Sequence, residues 1–234
     1  MSESHVQVVQ MACGHIVTRA LYAFAELGIA DHLIDGPRSA EELGAATGAQ
    51  PDSLSRLLRL MGGLGYVTPE ADGRFALGPL GEAVRSDSPG HARSMVRLMA
   101  GPLGWATLGE ILHSVKTGET AADRALGQSI FDYLATAPQD AQLFNEMMIA
   151  FHGSEPPAVA AAYDFSACRT IVDVGGGTGN LLTTILLAHP HLRGVLYDVP
   201  HVAAQAKALI ASRNLTDRCS VSEGSFFDLS LIHI

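Results

Sequence analysis

The sequence predicts an α/β protein: a mostly α-helical, winged-helix region followed by a βαβ unit of the nucleotide-binding kind, with about three parallel strands. Three observations carry this. Residues 170–180, TIVDVGGGTGN, run from a short strand expected to be buried, with Ile171, Val172 and Val174, through Gly175, Gly176, Gly177 and Gly179 into a helix with apolar positions Leu181, Leu182, Ile185, Leu186 and Leu187. Arg193–Asp198 reads as a second strand ending in a carboxylate, and Val199-Pro200 then opens a helix, since proline suits a first turn. Upstream, two short helical patterns precede a hairpin with an Asp72-Gly73 turn, the order of a winged helix-turn-helix.

A chain of 234 residues holds one large domain or two small ones, and 47% apolar residues are ample for a core. The net charge of −9 argues against nucleic acid or an anionic membrane as partner. Cys13, Cys168 and Cys219 are widely spaced and odd in number, which points to a reducing compartment and no zinc site. The ten histidines include no H-E-x-x-H, so no metal site is expected. The polar opening MSESHVQ resembles neither a signal peptide nor a spanning segment, and a cytoplasmic location follows as the expectation.

In chain order, apolar residues Ile16, Ala20, Ala23, Phe24 and Leu27 have helical spacing over 15–27, and Gly28 ends that helix. Its apolar stripe belongs to the core or pairs with a second subunit. Ser39 with Glu42 forms a capping box for a helix that Gly48 stops. Pro51-Asp52 opens another, with Leu54, Leu57, Leu58, Met61 and Leu64 on one face. The winged pattern also occurs in DNA-binding regulators. The second helix, however, offers only Arg56 and Arg59 toward phosphates, and the chain is acidic, so a packing module is the better reading. From 88 to 151 the signal is helical. Trp105, Leu108, Leu112 and Val115 mark one helix, and Phe144, Met147, Met148 and Phe151 form an i, i+3, i+4, i+7 stripe on another. Such a stripe is usually core, and it also suits a pocket for flat apolar substrates.

The glycine spacing restricts the ligand. A dinucleotide fingerprint wants G-x-G-x-x-G/A, and Asn180 stands at its last place; the phosphate loop G-x-x-x-x-G-K-[ST] is absent. Asp173 is unwelcome beside a polyphosphate. The pattern present is D-x-G-x-G-x-G, from Asp173 to Gly179. It resembles the first motif of S-adenosylmethionine-dependent methyltransferases, whose ligand carries no phosphate. A tight strand–helix turn with no ligand is the alternative, but such a turn needs fewer glycines. Asp198 lies about 20 residues past the loop, where an acid accepts hydrogen bonds from ribose hydroxyls; a helix cap or surface acid is its alternative.

With ELGIADHL near Glu26, RLLRLMGGLGYV, FDYLATAPQDAQLFNEMM, DVGGGTGNLL and YDVPHV, the chain resembles the small-molecule O-methyltransferases of the plant caffeate and bacterial polyketide-tailoring type. The resemblance implies a winged-helix dimerisation region at 1–100, a helical linker and substrate wall at 101–165, and a partial Rossmann-like domain for S-adenosylmethionine at 166–234. It implies a homodimer acting on a phenolic or polyketide small molecule. It makes Asp173, Gly175 and Gly177 the cofactor loop, Asp198 the ribose ligand, Val199 its backbone neighbour and Phe226 the residue packing on adenine. Phe144 and Met148 become wall residues near the methyl group. Ser225 departs from the pattern, since many members carry an acid there; a hydroxyl accepts the adenine amine less strongly than a carboxylate.

The family continues well past this chain's last residues, and its usual general base, a histidine, lies in that continuation. The expectation is therefore a chain cut short, with the sheet's first strand left as an edge and no catalytic residue assigned. His233 is not a credible base, and for His152 a core or surface role is the better reading. A cofactor-binding member with a non-methylating activity and a winged-helix binding protein are the alternatives.

Overall fold

The computed structural model describes residues 2–225 and residue 227. They form two compact units, Met1–Ala150 and Phe151–Ile234, each with its own core.

The first unit opens with α1 (Glu3–Glu26), which begins well before residue 15 because Ser2 caps it: the Ser2 side chain accepts the His5 N–H. The polar opening residues are thus helical. Gly28, at φ +62°, turns the chain out of the helix. Phe24 and Ala25 are buried, whereas Val6, Val9, Met11, Ile16 and Val17 are exposed, Met11 to 81%. By length and composition α1 meets the requirement for a membrane span, which the sequence did not lead one to expect.

After α2 (Ile29–His32), the expected capping box is complete on α3 (Ala40–Thr47): Ser39 Oγ accepts the Glu42 N–H at 3.2 Å, and Glu42 Oε2 accepts the Ser39 N–H at 2.7 Å. α4 (Pro51–Gly63) buries Leu54, Leu58 and Met61. The hairpin of β1 (Val67–Pro69) and β2 (Phe75–Leu77) pairs Val67 with Leu77 and turns through Gly73 at φ +84°. Phe24, Ile29, Leu43, Leu58, Met61 and Val67 are the heart of this core, each contributing about 1.5–3 kcal/mol on burial.

α5 (Pro79–Glu82), α6 (Ala92–Met99), α7 (Pro102–Gly109), α8 (Ile111–Thr117), α9 (Ala121–Leu126), α10 (Ile130–Thr136) and α11 (Pro138–His152) follow. Arg93 bonds Asp31 at 2.6 Å and Arg97 bonds Glu26 at 2.8 Å, tying α6 to α2 and α1. The single helix expected over 105–115 is two. Glu110 leaves helical geometry at φ −93°, ψ 11°, and its N–H folds back on the Thr107 and Leu108 carbonyls. On α11 the expected core stripe is only partly core: Met147 is buried, but Met148 is 40% and Phe151 62% exposed.

The second unit holds α12 (Glu155–Ala162), β3 (Thr170–Val174), α13 (Asn180–Ala188), β4 (Arg193–Asp198), α14 (Pro200–Ser212) and β5 (Cys219–Glu223). The strands form a parallel sheet in the order β3-β4-β5, with Asp173 opposite Leu196 and Gly194 opposite Cys219. Leu196 is buried in one cluster with Leu182 and Leu186 of α13 and Ala206 and Ile210 of α14, so both helices cover the face that bears it. Gly194 permits this approach: a Cβ there would lie 2.8 Å from Leu186 Cδ1 and 3.1 Å from Leu182 Cδ1. The strand expected to be buried is covered on one face only: Val172 and Val174, on the opposite face of β3, are exposed among the described residues.

Candidate cofactor-binding site

The site lies where β3 and β4 end side by side. Gly175, Gly177 and Gly179 have φ of +72°, +58° and +85°, a region that costs an L-residue roughly 1–2 kcal/mol. A Cβ on Gly175 or Gly177 would meet nothing within 4 Å, so these two border open space. Gly176 is different. A Cβ there would lie 2.9 Å from Asp173 Cγ and 3.0 Å from Leu196 Cγ, so the bare backbone lets the Asp173 carboxyl lie beneath the loop.

β4 holds this loop. The Tyr197 carbonyl accepts the Gly175 N–H at 2.8 Å, and Asp198 Oδ2 accepts the Gly177 N–H at 2.8 Å. Asp198 Oδ1 accepts the Val199 N–H at 2.7 Å, just before α14. Asp198 therefore braces the loop, yet each of its oxygens keeps a further lone pair for an incoming donor.

Asp173 is the anomaly. Its Oδ2 is buried and finds no hydrogen-bond partner among the described residues. Burial, and then the neighbouring Asp198 carboxylate, push its pKa above the usual carboxylate range. A buried carboxylate oxygen that finds no partner among the described residues is costly, and a cationic ligand group is what would offset it. Two acids facing a loop of bare backbone fit a ligand with hydroxyls and positive charge. S-adenosylmethionine, with its ribose, ammonium and sulfonium, has that chemistry; a polyphosphate does not.

Ser225 follows β5; its carbonyl accepts the Tyr197 hydroxyl at 3.1 Å and its Oγ accepts the Phe227 N–H at 3.3 Å. Phe226 lies outside the described residues. Phe144 and Met148 sit on α11 in the first unit, Phe144 half-buried and Met148 exposed. His152 bonds Glu155 at 2.7 Å on an exposed surface. Sequence reading passed over Gly176 and Tyr197. Gly176 was visible as one glycine among four; the Tyr197 carbonyl leaves no signal in a sequence.

Asp173→Asn is expected to raise the melting temperature without ligand while weakening S-adenosylmethionine binding about tenfold, the loss of one charge-assisted bond. The sign follows from the raised pKa. At pH above its raised value Asp173 is ionised in both the folded and unfolded chain and subtracts stability from the fold. As pH falls through that value, the folded chain takes the proton first, the penalty is relieved, and affinity for a cation drops. Scanning calorimetry without ligand and titrations with S-adenosylmethionine, on the parent and the Asn chain from neutral pH down to the ordinary carboxylate range, measure the two effects. Equal affinities at every pH would reject Asp173 as the cation's partner.

The arrangement defines a class: a Rossmann-like domain for a nucleoside cofactor without phosphates, in a chain that also carries a winged-helix unit. Residues 105–232 match the O-methyltransferase domain and residues 9–87 the O-methyltransferase dimerisation domain. The chain belongs to the O-methyltransferase family, whose cofactor is S-adenosylmethionine. It is 40% identical over 220 residues to the phenazine O-methyltransferase PhzM of Lysobacter antibioticus, covering 94% of this chain and 64% of that protein. The solved structure of the mitomycin 7-O-methyltransferase MmcR superposes with a TM-score of 0.92 at 37% identity, over 97% of this chain and 67% of that one. NcsB1, an O-methyltransferase from neocarzinostatin biosynthesis solved with S-adenosylmethionine and 2-hydroxy-5-methyl naphthoic acid, matches with a TM-score of 0.81 at 34% identity, over 91% of this chain and 66% of that one. The chain spans about three fifths of the length of the curated relatives it matches.

Proposed function

We propose that this protein takes part in transferring a methyl group from S-adenosylmethionine to a hydroxyl of an aromatic or polyketide small molecule. The observation that carries the reading is the Asp173 oxygen that finds no hydrogen-bond partner among the described residues, beneath a glycine loop braced by Asp198. When bound, the cofactor supplies an electrophilic methyl on a sulfonium. Asp198 accepts the ribose hydroxyls and Asp173 the ammonium. The open backbone at Gly175 and Gly177 admits the ligand closely, Val199 contributes its backbone, and Ser225 with Phe226 takes the adenine. Phe144 and Met148 form part of the substrate wall. Residues 1–100 serve dimerisation, 101–165 the substrate wall and 166–234 the cofactor. No residue of 1–234 is assigned the hydroxyl proton, and the protein works in the cytoplasm.

The test has two stages. Calorimetric titration with S-adenosylmethionine is expected to show one site per chain, and no binding would overturn the reading. Labelled cofactor with a panel of phenols, using a chain that extends over the relatives' whole length, is expected to give methylated product. Binding without product would favour a non-methylating activity instead.

The exposed apolar face of α1 is covered by a second copy of this chain, a reading supported by the match to the dimerisation domain. The net charge of −9 sets the protein against anionic membranes and nucleic acid. Light scattering at micromolar concentration is expected to give twice the chain mass, with no binding to anionic vesicles. A folded monomer that binds vesicles would overturn both statements.

A further inference from the structure

We propose that Arg213 is a positioning residue for the cofactor loop, holding the first turn of α13 and, through Thr183, the carbonyl on which the loop ends. The inference rests on the loop's reading as the S-adenosylmethionine site. Arg213 directly follows α14. Its Nη1 donates to Thr183 Oγ1 at 2.7 Å and to Thr184 Oγ1 at 3.2 Å, and its Nη2 donates to Asn180 Oδ1 at 3.0 Å. Thr183 is fully buried, and its hydroxyl donates in turn to the Gly179 carbonyl at 2.6 Å. The Gly179 N–H reaches the Gly176 carbonyl at 2.9 Å. One chain of hydrogen bonds thus runs from the end of α14 to the glycine that lies over Asp173.

Two features separate this from an ordinary surface arginine. All three acceptors are neutral oxygens, in a chain with 24 acidic residues. The guanidinium also sits at the N-terminal turn of a helix, where the dipole disfavours a cation. What the placement achieves is geometric: a rigid planar fork across three side chains of one helical turn. Arg218, from the same α14–β5 connection, supplies the comparison. It donates to the carbonyl of Leu186, in the last turn of α13, and to those of Pro190 and Leu192 just past the helix end. One arginine therefore grips each end of the helix, but only Arg213 is linked to the loop.

The experiment compares Arg213→Gln, Arg213→Lys and Arg218→Gln by apo melting temperature, S-adenosylmethionine titration and amide hydrogen exchange. Both Gln variants are expected to lower the melting temperature, but only Arg213→Gln is expected to weaken binding, by about tenfold, because the ligand must then order a loop that the protein no longer holds. It should also speed exchange across 176–184 in the protein without ligand. Arg213→Lys should recover part of the affinity, because an ammonium still donates to Thr183. Unchanged exchange across 176–184 in Arg213→Gln, or an equal loss of affinity in Arg218→Gln, overturns the proposal. If the parent binds no cofactor, the functional reading fails, while the exchange data still decide whether Arg213 anchors the loop.

Discussion

Asp198→Ala is expected to weaken S-adenosylmethionine binding by about a hundredfold or more. Each hydrogen bond to a charged group is worth about 1.5–3 kcal/mol, or one to two decades in affinity. The substitution removes the carboxylate offered to the ribose. It also strips the Gly177 and Val199 N–H groups of their acceptor, at 2.8 and 2.7 Å, so the loop loses its brace from β4. Asp198→Asn keeps one side-chain oxygen and should fall between parent and Ala. A second consequence is electrostatic. The Asp198 carboxylate is one cause of Asp173's raised pKa, so in the Ala chain Asp173 should stay ionised to lower pH. Calorimetry across a pH series reads both effects. Unaltered affinity in the Ala chain would reject the ribose assignment.

With the general base lying where the family resemblance puts it, the polypeptide of residues 1–234, expressed by itself, is expected to transfer methyl to phenols at least about a hundredfold more slowly than a chain spanning the relatives' full length, since such a base typically contributes 10²–10⁴-fold. His152 is engaged with Glu155 on the surface and is not placed to take the proton. The loop's support bears on the same rate. β3 pairs only with β4 among the described residues, and Val172 and Val174 are exposed, whereas strands of parallel sheets are normally covered on both faces. A loop held from one side positions its ligand less well, and misplacement costs rate. Labelled cofactor and a phenol panel, applied to the two chains in parallel, make the comparison. Turnover by residues 1–234 within about tenfold of the long chain would show that the proton is taken by a group inside these residues, and the assignment of the base would have to be abandoned.

Local signals were fully legible. The capping box at Ser39 and Glu42, the Gly28 and Gly48 stops and the Asp72-Gly73 turn are short-range chemistry, settled by residues within a few positions of one another. The first two strands of the parallel sheet followed from apolar runs bounded by turn residues, whereas β5, with the sequence CSVSE, carries little apolar signal. Less visible was the opening of α1, where one serine cap outweighed a polar lead-in, and the break at Glu110, which interrupts an apolar spacing that reads as continuous. The α11 stripe misled differently. Its period was correct, but how much of the face is covered depends on neighbours that a period does not reveal, and only Met147 became buried.

The site divides in the same way. The sequence by itself determined the ligand class, because glycine number, glycine spacing and the acids Asp173 and Asp198 are intrinsic to the chain and exclude polyphosphates. Only the tertiary structure decided how these parts act on one another. Parallel pairing of β3 with β4 places Asp198 against Gly177, 21 positions away, and brings the Asp198 charge close enough to raise Asp173. The return of the chain after α14 sets Arg213 on Asn180, Thr183 and Thr184, about thirty positions earlier. Hydrogen bonds and charge coupling act over a few ångströms of space, and sequence distance does not measure that.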